Sequence, residues 1–165
     1  MKKIILIRHG RAEDQGYEFS DFQRSLTPKG KSVSAQMAIK LKEIEKNPGL
    51  LITSPAFRAL ETALIFAEGF GINAEEIVLD SNLYYHMDMR YLRKLFLKLG
   101  DDINTITLFG HNPSFTNIAG ELSREGCDMM PKTGVAGISF KVEKWVDVKE
   151  GSGKMEFFLK PEKSL

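Results

Sequence analysis

Two segments of the sequence combine a histidine with groups that favour chemistry on an anion. Arg8-His9-Gly10-Arg11 directly follows one apolar run, and Gly110-His111-Asn112-Pro113 follows another. An imidazole can transfer protons or act as a nucleophile near neutral pH, and a guanidinium can hold phosphate through two parallel hydrogen bonds. His9 and His111 are therefore candidate reactive side chains, and Arg8 is a candidate anion ligand.

Two further arginines lie near predicted helix starts. Thr27-Pro28, Ser54-Pro55 and Asn112-Pro113 each place a residue that caps helices before a proline suited to the first helical turn. Arg24 precedes the first of these pairs, and Arg58 follows the second. Helix N-termini carry unpaired N–H groups and a partial positive charge, so a helix start with an arginine beside it favours an anion site.

Alternating strands and helices must position these residues. Apolar runs typical of buried strands occupy 3–7, 50–53, 77–79 and 105–109, and apolar residues recur at helical spacing over 33–44, 91–99 and 115–122. The alternation predicts a layered α/β fold with a mainly parallel sheet. Because parallel strands end at one edge of a sheet, where open α/β folds bind ligands, we expect the candidate side chains to meet there.

The last part of the chain departs from this alternation. Two apolar runs, 138–142 and 155–159, flank a loop that contains Glu150-Gly151-Ser152-Gly153-Lys154, which predicts a C-terminal antiparallel hairpin. The sequence contains no internal repeat, low-complexity segment or evident linker. We therefore interpret residues 1–165 as one domain.

The composition excludes several classes of function. The 165 residues include 23 Lys and Arg against 22 Asp and Glu, and a net charge of +1 provides no field that would hold nucleic acid or an anionic membrane. None of the three histidines lies at metal-ligand spacing from another histidine or a cysteine, so we expect no metal. The single Cys127 cannot form an internal disulfide, and no signal peptide or membrane span precedes Arg8, so we expect a cytoplasmic protein.

Read in order, the chain contains five short motifs: Arg8-His9-Gly10, Ser25-Leu26-Thr27, Ser54-Pro55 with Arg58, Glu61-Thr62-Ala63 and Gly110-His111-Asn112-Pro113. This set resembles the histidine phosphatase superfamily, which includes the phosphoglycerate mutases and acid phosphatases. The short chain and residues 130–136 are most similar to the small SixA-type phosphohistidine phosphatases. The resemblance implies a three-layer α/β/α sandwich and phosphoryl transfer through a phosphorylated histidine, without a metal or other cofactor.

The resemblance also implies a role for each of six residues. His9 is the nucleophile, and His111 donates a hydrogen bond to the transferring group. The phosphoryl oxygens are bound by the side chains of Arg8, Arg24 and Arg58 and by the main-chain N–H of Asn112.

Elementary chemistry suits these roles. Nearby positive charge disfavours an imidazolium, so we expect the arginines to lower the pKa of His9. A hydrogen bond from its other ring nitrogen to a main-chain carbonyl would fix the tautomer, and Gly10 would permit the tight backbone path. If His111 keeps a proton, its hydrogen bond to the transferring group is charge-assisted.

Three positions depart from the family pattern. Ser25 stands where the small branch usually has proline, and Glu61 stands where glutamine is frequent. Neither position binds phosphate, so the reaction class is unaffected. Met130-Pro131-Lys132-Thr133-Gly134 has one residue more than the usual Leu-Pro-Thr-Gly, which leaves the shape of this loop open.

A general acid is harder to identify. Members of the superfamily that cleave esters use a carboxylic acid to protonate the alkoxide, and Asp88 and His86 are the candidates in this chain. Both can equally be residues that open the following helix. An imidazole leaving group, with a pKa of about 6.5, departs more easily than an alkoxide, so a site without an acid favours phosphohistidine.

Three hypotheses follow for the function. The first is a phosphatase that hydrolyses phosphohistidine on a phosphorylated protein through a covalent phospho-His9 intermediate. The second is a phosphatase of small phosphate esters with Asp88 or His86 as general acid. The third is a module that binds phosphate without catalysis, although binding alone would not need His9 and His111.

Overall fold

The computed structural model describes residues 1–16, 20–85 and 87–162. The strands are β1 (Lys2–Arg8), β2 (Leu50–Thr53), β3 (Val78–Leu79), β4 (Thr105–Gly110), β5 (Val135–Phe140) and β6 (Lys154–Leu159). The helices are α1 (Pro28–Ile44), α2 (Phe57–Phe70), α3 (Asn82–Tyr85), α4 (Met89–Lys98) and α5 (Ser114–Leu122), with short 3-10 turns at Asp21–Gln23, Ala74–Glu76 and Trp145–Asp147. No helix in these ranges combines the length and the apolar character needed to cross a membrane.

The strands form one mixed sheet in the order β3-β2-β4-β1-β5-β6. Strands β3, β2, β4 and β1 pair in parallel, whereas β5 pairs antiparallel with both β1 and β6. The mainly parallel sheet and the antiparallel C-terminal pair are therefore confirmed, although β5 begins at Val135 rather than at 138. In the central pairing Arg8 lies opposite Gly110, so β1 and β4 end side by side.

Side chains of β1 alternate between the two faces of the sheet. Ile4 and Leu6 belong to an apolar cluster that includes residues of α4 and α5. Ile5 and Ile7 belong to a second cluster that includes residues of α1 and α2. Helices thus cover both faces, which confirms the three-layer α/β/α arrangement. All four side chains are fully buried, as expected for a parallel sheet between two helical layers.

Only one of the three predicted helix starts is correct in detail. The Thr27 hydroxyl accepts a hydrogen bond from Gly30 N at 2.9 Å and caps α1. In contrast, α2 begins at Phe57 and α5 at Ser114, so neither Ser54 nor Asn112 is the cap. Their side chains bind elsewhere: the Ser54 hydroxyl contacts His111, and Asn112 Nδ2 donates to the Met130 carbonyl.

The start of α1 presses against the segment that follows His9. A Cβ on Gly30 would lie 2.2 Å from the carbonyl oxygen of Arg11, and a Cβ on Gly10 would lie 2.8 Å from Ser34 Oγ. Both glycines therefore serve close packing between α1 and residues 10–11. For Gly10 this contact, and not a left-handed backbone, is the reason for glycine.

We predict that Gly30→Ala destabilises the protein by about 1–3 kcal/mol. The added methyl group would overlap main-chain atoms of Arg11, which cannot shift without moving the segment that follows His9. Gly120→Ala is the matched control, since Gly120 is also helical and its Cβ would lie 3.8 Å from Cys127 N, an ordinary contact. Alanine favours helix there by up to about 1 kcal/mol. Urea denaturation measures both free energies of unfolding, and equal stability of the two variants would contradict the packing argument.

Candidate active site

Backbone hydrogen bonds to β4 and to the loop before β5 hold His9 at the end of β1. Its main-chain N–H donates to Gly110 O at 3.0 Å, and its carbonyl accepts from Thr133 N at 3.1 Å. The ring Nδ1 lies 2.7 Å from Gly10 O. A carbonyl can only accept, so Nδ1 carries the proton and Nε2 of the neutral ring keeps a lone pair. The hydrogen bond expected to fix the tautomer is therefore present.

His111 stands beside His9 because β1 and β4 end together. The two ring centroids are 5.1 Å apart, with the ring planes inclined by 52°. His111 Nε2 lies 2.8 Å from Ser54 Oγ, so the residue after β2 orients the ring that follows β4. Its Nδ1 is buried and has no hydrogen-bond partner within the described part of the chain.

The loop 130–134 holds the end of β1 from the other side. Met130 O accepts one hydrogen bond from Arg8 Nη1 and another from Asn112 Nδ2, both at 3.0 Å. Thr133 N donates to the carbonyls of Arg8 and His9. The stretch that departs from the family pattern thus forms part of the site, and it ties Arg8 and Asn112 to one carbonyl.

Asp21 joins the other two arginines. Its Oδ1 accepts from Arg24 Nε at 3.1 Å and from Arg24 Nη2 at 2.9 Å, whereas its Oδ2 accepts from Arg58 Nη2 at 2.9 Å. The main-chain oxygen of Asp21 accepts a further bond from Arg58 Nη1 at 2.7 Å, and the Tyr84 hydroxyl donates to Oδ2 at 2.7 Å. One carboxylate therefore sets the orientation of both guanidinium groups.

These groups surround a cavity of about 260 Å³, which is lined by Arg8, His9, Ala12, Asp14, Arg24, Arg58, His111, Asn112 and Lys132. All six residues expected to form the site line this cavity. Two larger clefts, of about 430 and 480 Å³, lie along α4 and contain neither histidine. The described residues include no group of three or more His, Cys, Asp or Glu side chains able to hold a metal ion.

Three residues near the cavity were not predicted from the sequence. Lys132 and Asp14 contribute to its lining, and Asp21 stands behind two of the arginines. Lys132 belongs to the stretch 130–134, which has one residue more than the family pattern, so the sequence does contain a signal for it. Asp14 and Asp21 lie in a polar segment without periodicity, where only tertiary contacts identify them.

Burial makes both histidines weak bases. Burial is the largest influence on His9 and lowers its pKa to about 3. The hydrogen bond to Gly10 opposes this shift, and electrostatic interactions with His111, Arg58 and Arg8 add to it. Burial, followed by Arg58, lowers the pKa of His111 to about 4. The expected direction for His9 is correct, but desolvation rather than the arginines is the main cause.

Asp21 remains ionised beside these rings. Burial by itself would raise its pKa, but hydrogen bonds from Tyr84, Arg58 and Arg24 outweigh this effect and hold the pKa well below its usual range. Burial and the adjacent Asp21 carboxylate raise the pKa of Tyr84, so the tyrosine hydroxyl stays the donor of their hydrogen bond. The site thus combines neutral imidazoles with charged guanidinium groups and the ionised carboxylate of Asp21.

The site also contains buried nitrogens that no other described group satisfies. The buried nitrogens Arg8 Nε, Arg58 Nε and His111 Nδ1 have no partner among the described residues. Buried donors without partners are costly, typically by about 1–3 kcal/mol each. Such groups are common where a ligand supplies the missing acceptor, and a tetrahedral oxyanion offers several oxygens at once.

The family profile described as histidine phosphatase superfamily (branch 1) matches residues 4–84, about half of the chain. The chain belongs to the histidine phosphatase superfamily. The matched range includes His9, Arg24 and Arg58 and ends before His111, which the fold brings to the same cavity. No curated protein sequence gives a significant match to the chain.

Solved structures show how far the fold extends in this superfamily. The provisionally assigned phosphohistidine phosphatase SixA from Agrobacterium tumefaciens is 21% identical, with 97% of this chain and 98% of that chain aligned and a TM-score of 0.78. The protein histidine phosphatase SixA complexed with tungstate is 21% identical over 96% and 97% of the two chains, with a TM-score of 0.77. The phosphoserine phosphatase from Entamoeba histolytica, in complex with 3-phosphoglyceric acid, is 19% identical over 98% of each chain, with a TM-score of 0.63. The likeness shows that the described fold is the histidine phosphatase fold along nearly the whole chain.

Within this histidine phosphatase fold, Asp88 does not fill the position of a general acid. Its Oδ1 accepts a hydrogen bond from Tyr91 N at 2.9 Å and caps α4. It lines one of the clefts along α4 and not the cavity with His9. The assignment of Asp88 as an acid is therefore wrong, because the carboxylate is committed to a helix start. The other candidate, His86, lies outside the described residues.

We predict that the ligand-free histidine phosphatase loses stability as the pH falls below about 6.5. Both folded-state pKa values lie below the usual 6.5, so the unfolded chain binds more protons between pH 6.5 and about 4. Stability then rises with pH, by at most about 1.4 kcal/mol per pH unit for each histidine. Urea denaturation across this window measures the slope.

The variants His9→Asn and His111→Asn separate this effect from other acid-induced changes. Each variant should show a flatter dependence of the free energy of unfolding on pH than the wild-type protein, because one titrating group is gone. Identical slopes in the wild type and in both variants would show that the histidines are not held neutral.

Proposed function

We propose that this histidine phosphatase hydrolyses phosphohistidine on a phosphorylated protein, through a covalent phosphoryl group on Nε2 of His9 and without a metal or cofactor. The observation that carries the proposal is the approach of His9 to His111, 5.1 Å between ring centroids, in a cavity lined by three arginines. A cytoplasmic location of the protein is consistent with its single cysteine, which cannot form an internal disulfide.

His9 has the properties of a nucleophile. The hydrogen bond from Nδ1 to Gly10 O leaves the lone pair of Nε2 available, and the low pKa of the ring keeps it unprotonated at neutral pH. In the first step Nε2 bonds to phosphorus while the P–N bond to the substrate imidazole breaks. The substrate ring, protonated on its other nitrogen, leaves as neutral imidazole, so no acid has to deliver a proton to it. In the second step water attacks the phosphorus of phospho-His9, and inorganic phosphate leaves with His9 restored.

The surrounding groups stabilise the phosphoryl oxygens. The transition state spreads negative charge over three equatorial oxygens, so fixed cations contribute most of the stabilisation. Arg8 has only Nη1 bonded within the described chain, which leaves four N–H groups for a ligand. Arg24 and Arg58 are held by Asp21 and present their remaining N–H groups from fixed positions.

His111 takes a second part in the proposal. Its low pKa keeps the ring neutral, and the negative charge of a bound phosphoryl group would raise this pKa and favour the protonated ring. Whether neutral or protonated, it can donate one N–H to the phosphoryl group. Loss of one such donor typically lowers the rate by about 100- to 1,000-fold.

The leaving group favours phosphohistidine over phosphate esters. Imidazole has a pKa of about 6.5 and needs no general acid, whereas an alkoxide requires one. Of the described carboxylates, Asp14 alone lines the cavity, and it is exposed to solvent. The tungstate-bound SixA of the same fold carries a tetrahedral oxyanion, as expected of a phosphatase site.

Hydrolysis of small phosphate esters is the second candidate function. The presence of Asp14 in the cavity supports it, because this carboxylate could act on an alkoxide in place of Asp88. The Entamoeba histolytica neighbour, named as a phosphoserine phosphatase, has the same fold. The proposed site would then use the same covalent intermediate with a different leaving group.

We predict that His9→Ala abolishes both turnover and acid-labile phosphoryl labelling of the protein, because the proposed nucleophile, and with it the covalent route, is removed. His111→Ala should keep the labelling and lose about 100- to 1,000-fold in kcat. Incubation with a ³²P-phosphohistidine peptide, followed by rapid acid and base quenches, measures both quantities.

The same experiment with excess chelator tests metal independence, which requires unchanged turnover. Labelling that persists in His9→Ala would refute the assignment of the nucleophile. Phosphate binding by the wild-type protein without turnover of any phosphodonor would instead support the non-catalytic module.

We predict that kcat/KM is at least about 100-fold higher for a phosphohistidine peptide than for phosphoserine or a sugar phosphate, because only the esters need an acid. Asp14→Asn should leave this preference intact. A preference for esters that disappears in Asp14→Asn would establish the ester phosphatase instead.

A further inference from the structure

Four aromatic side chains gather on the same edge of the sheet as the histidines. They are Phe22 of the 3-10 turn, Phe57 of α2, and Tyr84 and Tyr85 of α3, and we refer to them as the aromatic ledge. Their ring centroids lie 6.1 Å apart for Phe22 and Phe57, 5.3 Å for Phe22 and Tyr84, and 4.7 Å for Tyr84 and Tyr85. All three pairs pack edge to face, the arrangement that aromatic quadrupoles favour.

The aromatic ledge is continuous with the proposed phosphate site. The Tyr84 ring packs edge-on against the His111 ring with 5.4 Å between centroids. The guanidinium carbon of Arg58 lies 6.0 Å from the centroid of the Tyr84 ring, within cation–π range. The same tyrosine binds Asp21 through its hydroxyl. One ring thus connects the cations of the cavity to the rest of the ledge.

The outer members of the ledge are open to solvent. Tyr85 is 64% exposed and Phe57 is 39% exposed, whereas Phe22 and Tyr84 are half-buried beneath them. Phe57 packs against Phe22, and Tyr85 packs against Tyr84, so each exposed ring rests on a half-buried one. Apolar surface next to a strongly polar cavity is typical of a binding site for a ligand with both characters.

We infer that the aromatic ledge binds the imidazole ring and the adjacent apolar side chain of a phosphohistidine-bearing protein, while the arginines bind the phosphoryl group. The inference rests on the proposed function and identifies what selects its substrate. The imidazole of phosphohistidine is flat and aromatic, so it can pack against the rings with favourable geometry. The alkyl chain of phosphoserine and the hydroxyl groups of a sugar phosphate offer no such surface.

The test compares two phosphodonors that share the P–N bond. A phosphohistidine peptide contains the ring, and phosphoramidate lacks it. For Tyr85→Ala and for Phe57→Ala, we expect the ratio of kcat/KM for the peptide to kcat/KM for phosphoramidate to fall by about 2- to 10-fold, mostly through KM. Tyr85→Phe should restore the ratio, because it replaces the ring without the hydroxyl.

Leu97→Ala is the matched control, since Leu97 is 74% exposed on α4 and belongs to neither the ledge nor the cavity. It should leave the ratio at the wild-type value. An unchanged ratio in Tyr85→Ala and Phe57→Ala would overturn the inference. An equal loss of kcat/KM for both donors, which also leaves the ratio unchanged, would show that the rings stabilise the cavity and do not bind the leaving group.

A binding measurement separates this inference from the proposed function. In a His9→Ala background, calorimetry gives the Kd of the phosphohistidine peptide and of inorganic phosphate without turnover. Adding Tyr85→Ala should raise the Kd of the peptide by about 2- to 10-fold and leave that of phosphate unchanged. Absence of turnover in the wild type, with this binding difference present, would refute the proposed function alone. An equal Kd of the peptide for His9→Ala and for the double variant that also carries Tyr85→Ala would refute the role of the aromatic ledge.

Discussion

The site depends on the parallel pairing of β1 with β4. The register sets Arg8 opposite Gly110, so the residues that follow the two strands leave the sheet at the same height and His9 and His111 meet. Residues about 100 positions apart in the chain are brought together by the backbone hydrogen bonds of this pairing. Because the paired strands are buried between two helical layers, a slip in register would expose their side chains to the wrong face. The stability of the core therefore fixes the geometry of the histidines.

Most of the fold could be predicted from the sequence, because the parallel strands are apolar runs and α1, α4 and α5 show the helical period, whereas α2 was indicated only by its predicted start. β2 begins and ends at the predicted residues, and β1 differs by one residue at each end. Prediction is less accurate where a polar side chain can either cap a helix or bind a distant residue. Ser54 and Asn112 are good helix caps by type, yet their side chains bind His111 and Met130 in the folded protein. A local propensity cannot reveal which of two competing partners is closer in space.

The candidate site divides in the same way. Its histidines are two of only three in the chain, and its arginines lie beside strand ends and predicted helix starts, so the sequence identifies them. Asp21 is one of 22 acidic residues, and nothing local distinguishes it from a solvated carboxylate. Its role appears only when Arg24, Arg58 and Tyr84 converge on it from separate elements. The main cause of the low histidine pKa values could not be predicted from the sequence either, because it is burial rather than the neighbouring arginines.

The carboxylate of Asp21 bears on how a turnover would end. Three bare guanidinium groups would retain the inorganic phosphate formed in the proposed reaction, and the enzyme would be slowed by its own product. Here two of the three are already shared with an internal anion, which remains bonded to them when the external one departs. Release then exposes less uncompensated charge, so within the proposed reaction we expect phosphate to bind less tightly and to leave faster than it would from three unpaired arginines.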